Sequence, residues 1–294
     1  MPDTPAPIVI RELDALRAEV GRWRANGERI GLVPTMGALH PGHIALITAA
    51  AAETDRVIVS IFVNPTQFAP NEDFETYPRT FDADIAALRT VKCDAVWAPR
   101  PGLMYPDGFA TTVQPGGPAE GLESDFRPEF FAGVATVCTK LFIQCAPDTA
   151  VFGEKDYQQL AVIRTLVRDL NLPMTILGVP TVRETSGLAM SSRNAYLSDE
   201  RRAVAAELYV VLKELAGDVR AGKAIAAAER GAKARLLERG FSSVDYVAVR
   251  HHLTLAPLPA NEQAARLNAR ILAAVWLDNT RLIDNIPVAN LDGH

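Results

Sequence analysis

Cysteine, basic charge and long apolar runs are all scarce in this chain. Its only cysteines, Cys93, Cys138 and Cys145, form no Cys-x-x-Cys pair, which predicts reduced core thiols rather than a disulfide framework. Lysine and arginine number 30 against 35 acidic residues, and this net charge of −5 excludes the basic surface of a nucleic-acid-binding protein. Neither a signal-type N-terminus nor a run of about eighteen apolar residues occurs. We therefore expect a cytoplasmic location, with neither nucleic acid nor membrane as a partner.

The chain does have the length and apolar content of a two-domain globular protein, with 294 residues of which 48% are hydrophobic. Helix and strand patterns alternate up to residue 179, and the apolar run at 57–63 has the composition of a central strand buried on both faces. This alternation predicts an α/β fold with a Rossmann-like, doubly wound parallel sheet. The other predicted elements are strands at 30–33, 95–98, 149–152 and 174–179, and helices at 11–25, from Thr80, at 131–146 and at 157–170.

The pattern changes after about residue 184. Helices at 199–216 and 224–239 precede strands at 244–249 and 271–277, which is typical of a smaller α+β unit. A short polar segment at 183–187 would be the hinge. We therefore predict a Rossmann-like domain over residues 1–183 and a smaller C-terminal α+β domain over residues 184–294. The Pro- and Gly-rich stretch 99–128 is predicted to be a long connection with one extended piece at 110–113.

The segment from Gly31 to Ala52 reads as strand, tight loop and helix, with Gly37 and Gly42 allowing the backbone to turn. Amides at the start of the helix would have no internal partner, so they would face an anion together with the positive end of the helix dipole. Loops after other predicted strands, at 64–68 and 153–156, should emerge at the same edge of the sheet. The sequence therefore predicts a phosphate site there.

Two histidines, His40 and His43, distinguish this loop. They could simply cap the helix, which is the commoner role for such a pair, or bind zinc, which the lack of a third ligand at a familiar spacing disfavours. The surrounding strand, glycines and helix favour a third role, in which the imidazoles donate hydrogen bonds to nucleotide phosphates.

The loop resembles the ATP-binding motif of the pantoate–β-alanine ligase family, a variant of the His-x-Gly-His signature of class I adenylating enzymes. The resemblance implies ATP-dependent condensation of (R)-pantoate with β-alanine through a pantoyl adenylate, giving pantothenate, AMP and pyrophosphate. It also implies Mg²⁺ as a cofactor and a homodimer. In addition, it implies that the domain at 1–183 binds ATP and pantoate and that the domain at 184–294 forms a lid and the dimer side. The residues that carry the motif, and that the family assigns to ATP, are Pro34, Thr35, Met36, Gly37, Ala38, Leu39, His40, Gly42 and His43.

A second segment, Gly153, Glu154, Lys155 and Asp156, resembles the family's other ATP-binding stretch. Lys155 could be an ordinary exposed lysine, but this context favours a point charge beside the phosphates. Asp156 could hold a ribose hydroxyl or orient Lys155, and the sequence leaves both open.

A third segment, Met190, Ser191, Ser192 and Arg193, resembles the mobile phosphate-closing loop of class I adenylating enzymes. Its alternative role is to cap the next helix, although Ser198 already suits that task. Val182 matches a family position that contacts adenine through its backbone. The resemblance implies that His40, His43, Lys155, Ser191, Ser192 and Arg193 stabilise charge on the phosphates during catalysis.

The acid side of the site would be built from neutral amides. Gln67 and Gln159 match the family's pantoate contacts, Gln67 also facing the β-alanine site, and Asn64 lies beside them. Taken alone, Gln67 would be read as a loop residue bonded to backbone. Asp84 is the predicted Mg²⁺ ligand, although phosphate oxygens and water could hold most of the ion.

The sequence departs from the family at two places. Glu129 and Phe130 replace a usual Gly-His pair, and Ile143 replaces an Asn, near the predicted dimer and substrate-side surface. Two other functions share parts of this pattern. A nucleotidyltransferase would need a cationic clamp for a phosphorylated acceptor, whereas the residues on the acid side here are neutral. A nucleotide-sensing module would not need Lys155 or the segment 191–193.

Overall fold

The computed structural model describes residues 6–69, 72–258 and 268–289. Its N-terminal sheet has six parallel strands in the order β1-β4-β3-β2-β5-β6, as the predicted doubly wound α/β fold requires. The strands are β1 (Ile8–Ile10), β2 (Ile30–Thr35), β3 (Arg56–Ile61), β4 (Ala95–Trp97), β5 (Thr149–Gly153) and β6 (Thr175–Val179).

The strand order reverses direction between β2 and β5. After β2 the chain moves outward through β3 and β4, and then returns to place β5 on the other side of β2. Ligands of open α/β sheets bind beyond the carboxyl ends of the strands at such a switch point. The loops that follow β2 and β5 are therefore the places where this topology predicts a ligand.

Helices cover the sheet and supply the remaining core. Val57, Ile58 and Val59 of β3 are fully buried, which is why this strand reads as a continuous apolar run. The helices of this part of the chain are α1 (Leu13–Ala25), α2 (Pro41–Glu53), α3 (Phe81–Leu88), α4 (Pro101–Met104), α5 (Glu123–Phe126), α6 (Phe130–Cys145) and α7 (Tyr157–Asp169).

All three cysteines are buried and free, as predicted. Burial raises the pKa of the Cys93 thiol, and likewise that of Cys138, to about 12, so these thiols stay protonated and unreactive. Burial also raises the pKa of the Cys145 thiol, with the same consequence.

The C-terminal part of the chain forms a three-stranded antiparallel sheet in the order β7-β8-β9, which packs on two helices. Ser198 caps the first of these helices by accepting a hydrogen bond from the amide of Arg201, as predicted. The elements are α8 (Asp199–Arg220), α9 (Ile225–Glu238), β7 (Ser243–His251), β8 (Ala269–Leu277) and β9 (Thr280–Pro287).

Several predicted boundaries were wrong. β2 continues through Pro34 to Thr35, because Thr35 still pairs with β3 and accepts a hydrogen bond from the amide of Phe62. The apolar run at 57–63 leaves the sheet after Ile61, and α8 runs four residues beyond the predicted end at 216. The extended piece at 110–113 pairs with no strand, although the amide of Val113 donates to the hydroxyl of Thr136. Strands β1 and β9 were not predicted.

The chain divides into two compact units that differ from simple halves. The first comprises residues 1–115, 127–154 and 162–180, and the second comprises 116–126, 155–161 and 181–294. The proposed domain boundary after residue 183 stays a prediction. Among the described residues no helix combines the length and apolarity that crossing a bilayer requires.

We expect Ile58→Ala to lower the free energy of unfolding by about 2–5 kcal/mol, because it leaves a cavity in a fully buried central strand. Ile143→Ala makes the same kind of change on α6 at a side chain that is 63% exposed, and should change stability by less than about 0.5 kcal/mol. Urea unfolding followed by circular dichroism measures both. Equal losses would contradict this placement of the two residues.

Candidate active site

The loop after β2 turns sharply into α2. Gly37 has a φ of +86°, and a Cβ there would lie 3.0 Å from a carboxylate oxygen of Asp84 and 3.3 Å from Ile61, so glycine is required twice over. Ala38 also has a positive φ, of 51°. Helix α2 then begins at Pro41, a residue whose missing N–H costs nothing in the first turn. The motif predicted from sequence is thus a strand-to-helix turn whose helix N-terminus faces the carboxyl edge of the sheet.

The two histidines form a reciprocal cap on α2. Nδ1 of His40 accepts from the amide of Gly42 at 3.2 Å, and Nδ1 of His43 accepts from the amide of His40 at 3.3 Å. Their rings lie 4.0 Å apart between centroids. A neutral imidazole whose Nδ1 accepts carries its proton on Nε2, so each ring presents Nε2–H as a donor. The capping role considered from sequence is therefore present, and it fixes the tautomer that a phosphate-binding role needs.

Asp84 anchors the same loop from α3. Its carboxylate accepts from the amide of Leu39 at 2.7 Å and from the amide of Ala38 at 3.1 Å, and Thr80 donates from its hydroxyl at 3.3 Å. The residue is only 3% exposed. Both oxygens of the predicted Mg²⁺ ligand are thus already engaged with the loop. No group of three or more His, Cys, Asp or Glu residues among those described could form a metal cage.

The turn after β3 holds Asn64 and Gln67. Asn64 is 1% exposed and donates through Nδ2 to the side-chain oxygen of Gln67 at 3.1 Å and to the carbonyl of Gly133 at 3.2 Å. The bond from Asn64 to Gln67 fixes the orientation of the Gln67 amide. Its Oε1 accepts this bond, so its Nε2 is the end that is left to donate. Nε2 of Gln67 then lies 3.3 Å from the sulfur of Met36. The structure therefore brings the predicted acid-binding amide next to the predicted ATP loop.

Tyr105 is a functional candidate that sequence reasoning missed. Its hydroxyl donates to Oδ1 of Asn64 at 2.7 Å and lies 3.2 Å from the hydroxyl of Thr66. Burial raises the pKa of Tyr105, which keeps the hydroxyl protonated as a donor. A tyrosine in a long Pro- and Gly-rich connection carries no local signal of this contact, because its partner lies 41 residues earlier.

In the second unit, Lys155 and Asp156 lie in a 3-10 turn that joins β5 to α7. Nζ of Lys155 is 3.7 Å from a carboxylate oxygen of Asp156, a distance that fits the orienting role considered for this aspartate. Gln158 is buried and holds the segment 116–126 by donating to the carbonyls of Pro118 and Gly121 and accepting from the amide of Glu123. Gln159, the next residue, is partly exposed.

The other predicted ATP residues of this unit lie on a short hairpin and on the 3-10 turn that follows it. The amide of Met190 donates to the carbonyl of Val182 at 3.0 Å, and the hairpin turns at Gly187, whose φ is +91°. Ser191 caps the following 3-10 turn, Ser192–Tyr196, by accepting from the amide of Arg193. Beneath it, Asn194 is buried and donates to the carbonyl of Ala189 and to Glu184. Ser191 therefore caps this short turn, whereas the next helix, α8, is capped by Ser198. Asn194 supports the segment 191–193.

The predicted site residues fall into two sets, one in each compact unit. The set in the second unit comprises Lys155, Asp156, Gln159, Val182, Met190, Ser191, Ser192 and Arg193. The set in the first unit comprises the loop residues 34–43, Asn64, Gln67, Asp84, Gly153 and Glu154. Within the first unit all of these lie at the carboxyl ends of β2, β3 and β5 except Asp84, which reaches the loop from α3.

Comparison with known proteins identifies the family of the chain. The family described as pantoate-beta-alanine ligase matches residues 8–287 of the chain. A pantothenate synthetase of Mesorhizobium japonicum is 54% identical over 282 residues, which are 96% of this chain and 98% of that protein.

Solved structures give the same result. The pantothenate synthetase of Thermus thermophilus matches with a TM-score of 0.88 and 44% identity, covering 96% of this chain and 99% of that one. A pantoate-beta-alanine ligase of Francisella tularensis, solved in complex with beta-gamma ATP and β-alanine, matches with a TM-score of 0.80 and 34% identity, covering 96% and 98%. The chain therefore belongs to the pantoate–β-alanine ligase family, the ATP-dependent ligases that condense pantoate with β-alanine.

Proposed function

We propose that the loop after β2 and the turn after β3 carry out the adenylation of pantoate by ATP, and that β-alanine then takes the pantoyl group. The observation that carries this proposal is the reciprocal cap of His40 and His43, which presents two Nε2 donors at a helix N-terminus. The amide of Gln67 lies beside the same loop, 3.3 Å from Met36. A site that places hydrogen-bond donors for phosphate next to a neutral amide suits the binding of a nucleotide together with a hydroxy acid.

The reaction proceeds in two steps. A carboxylate oxygen of pantoate attacks the α-phosphorus of ATP, the bond to the bridging oxygen breaks, and pyrophosphate leaves with its electron pair. The amine of β-alanine then attacks the acyl carbon of the pantoyl adenylate, loses a proton, and expels AMP to give pantothenate. No covalent bond to the protein is needed.

The chain's residues stabilise charge that grows on the phosphates during the first step. In this proposal Nε2 of His40 and of His43 donate hydrogen bonds, and the residues that the family resemblance assigns to the phosphates supply further donors and positive charge: Lys155, Ser191, Ser192 and Arg193. Such donors accelerate the reaction because they are held in place before it begins. Removing one of them typically lowers the rate by about 100- to 1,000-fold. Val182 and Asp156 would hold the adenosine portion.

Neutral amides would hold pantoate. Gln67 uses Oε1 to accept from Asn64, so its Nε2 group is the end that binds the acid. Asn64 is saturated by its contacts with Gly133, Gln67 and Tyr105, so it acts on pantoate by orienting Gln67. Gln159, partly exposed on the first turn of α7, would supply the other contact.

Magnesium, in this proposal, enters as a substrate with the ATP phosphates. Asp84 was predicted to bind Mg²⁺, but the oxygens of Asp84 accept from the amides of Ala38 and Leu39. Asp84 would therefore affect the ion by positioning the loop. A homodimer and a cytoplasmic location are also part of the proposal, and they rest on family likeness and on the sequence alone.

Exchange of labelled pyrophosphate into ATP tests the proposal. Exchange that requires pantoate and proceeds without β-alanine supports the ligase. Exchange that requires a phosphorylated acceptor would instead support a nucleotidyltransferase, and no exchange with either would support a nucleotide sensor.

We expect His43→Asn and His43→Ala both to slow pantoate-dependent exchange by about 100-fold or more, because both lack the Nε2 donor. They should differ in stability. Asparagine keeps an acceptor close to the position of Nδ1 and preserves the cap, whereas alanine loses the cap and about 1 kcal/mol of the free energy of unfolding. Steady-state kinetics with thermal unfolding measures both effects. A wild-type rate in His43→Asn would show that His43 serves only as a cap.

We expect Gly133→Ala to raise the KM for pantoate by about tenfold. A Cβ on Gly133 would lie 2.3 Å from the carbonyl oxygen of Thr66 and 2.9 Å from the amide of Gln67, so the turn that holds Gln67 must move. Gly21→Ala on α1 is the matched control, because a Cβ there meets no atom within 4 Å. It should keep wild-type kinetics and add about 0.5–1 kcal/mol of stability. An unchanged KM in Gly133→Ala would contradict the role of this turn.

A further inference from the structure

Two neighbouring polar residues of β9, Asp284 and Asn285, are each only 3% exposed. Polar side chains buried this deeply are uncommon and need partners. Asp284 lies opposite Ala273 and Asn285 opposite Leu272 in the pairing of β9 with β8. Because successive residues of a strand point to opposite faces, the two side chains leave β9 in opposite directions.

Asp284 holds the base of the hairpin that carries Val182 and Met190. Its two carboxylate oxygens accept from the guanidinium of Arg183 at 2.6 and 2.9 Å, and the same guanidinium donates to the carbonyl of Gly187 at 3.1 Å. The guanidinium also lies over the ring of Tyr209 on α8, 3.9 Å from its centroid. β9 is thereby fixed to a predicted ATP segment on one face.

Asn285 holds the other predicted ATP segment of the second unit. Its Nδ2 donates to the carbonyl of Lys155 at 2.8 Å, and its Oδ1 accepts from Nε of Arg270 at 2.6 Å. The chemistry forces this orientation of the amide, because a guanidinium can only donate and a carbonyl can only accept.

A second contact lies two residues after Lys155. The guanidinium of Arg270 lies over the ring of Tyr157, 3.6 Å from its centroid, and Tyr157 is the first residue of α7. Asn285 thus holds the backbone carbonyl before Asp156, and Arg270 packs on the side chain that follows it. Rotation of the peptide after Lys155 would break the bond to Asn285, so this bond limits the directions that the Lys155 side chain can take.

We infer that Asn285 is a positioning residue for Lys155 in the adenylation step, an inference that rests on the proposed role of Lys155 toward ATP. Asn285 is assigned no contact with ATP, pantoate or β-alanine. It holds the Lys155 carbonyl, while Asp284 keeps the strand in place from the other face. Removing Asp284 would leave the partly buried Arg183 without its charge partner, so Asn285 is the position to test.

The decisive variant is Asn285→Asp. Aspartate has nearly the same shape and keeps an acceptor for Arg270, but it has no N–H to donate and would place a negative oxygen against the Lys155 carbonyl. We expect kcat for pantoate-dependent pyrophosphate exchange to fall by about 10- to 100-fold, the size of effect that a displacement of about 1 Å produces. The KM for pantoate should change by less than about twofold.

A buried amide elsewhere provides the control. Gln144 on α6 is 7% exposed and accepts from the indole of Trp97 at 3.1 Å, and Gln144→Glu makes the same amide-to-acid change in the first unit. We expect Gln144→Glu to lower the melting temperature while leaving kcat unchanged in the folded protein. If kcat fell in both Asn285→Asp and Gln144→Glu in parallel with their loss of stability, the inference would be overturned.

Combining Asn285→Asp with Lys155→Ala distinguishes a positioning effect on Lys155 from a general disturbance of the structure. If Asn285 acts through Lys155, the double variant Lys155→Ala/Asn285→Asp should exchange pyrophosphate as fast as Lys155→Ala alone. A full additional loss in the double variant, or a wild-type kcat in Asn285→Asp, would overturn the inference while leaving the ligase function intact. Failure of the unmutated protein to exchange pyrophosphate with pantoate present would instead overturn the proposed function.

Discussion

The hydrogen bonds from the amides of Ala38 and Leu39 to the buried carboxylate of Asp84 are the constraint on which the histidine loop depends. Between β2 and α2 the chain passes through two residues of positive φ, and the alanine at position 38 pays about 1–2 kcal/mol for that conformation. Hydrogen bonds to a charged group contribute about 1.5–3 kcal/mol each and so offset this strain. The turn they hold sets the position of His40, the N-cap of α2, and with it the reciprocal cap that His40 forms with His43.

Two of the predicted contacts, Gln67 for the acid and Lys155 for the phosphates, are each supported by a buried amide. Asn64 fixes the orientation of Gln67, and Asn285 fixes the carbonyl of Lys155. A neutral amide suits this task because it offers both a donor and an acceptor without adding charge near a phosphate. Each amide is satisfied by groups of opposite type, so its orientation is determined and the functional group beside it is preorganised.

Much of the fold was predictable because its signals are local. The apolar run of β3, the helical stripe of α1 and the turn glycine of the histidine loop each lie within a few residues, and all were predicted at nearly the observed positions. β9 was missed because Asp284 and Asn285 interrupt its apolar pattern, and their partners, Arg183 and Lys155, lie 101 and 130 residues away. β1 was missed because three residues at a sheet edge carry too weak a periodicity to predict a strand.

By itself the sequence determined the family and the parallel α/β sheet, and it predicted which residues would bind ATP and the acid, because motif spacing and hydrophobic periodicity are properties of short segments. Only the tertiary structure decided what holds those residues. It assigned Asp84 to the loop amides, gave Tyr105 a place beside Asn64, and set Asn285 against Lys155. Such contacts join positions 41 to 130 residues apart, and they exist only when packing brings distant donors and acceptors to within about 3 Å of each other.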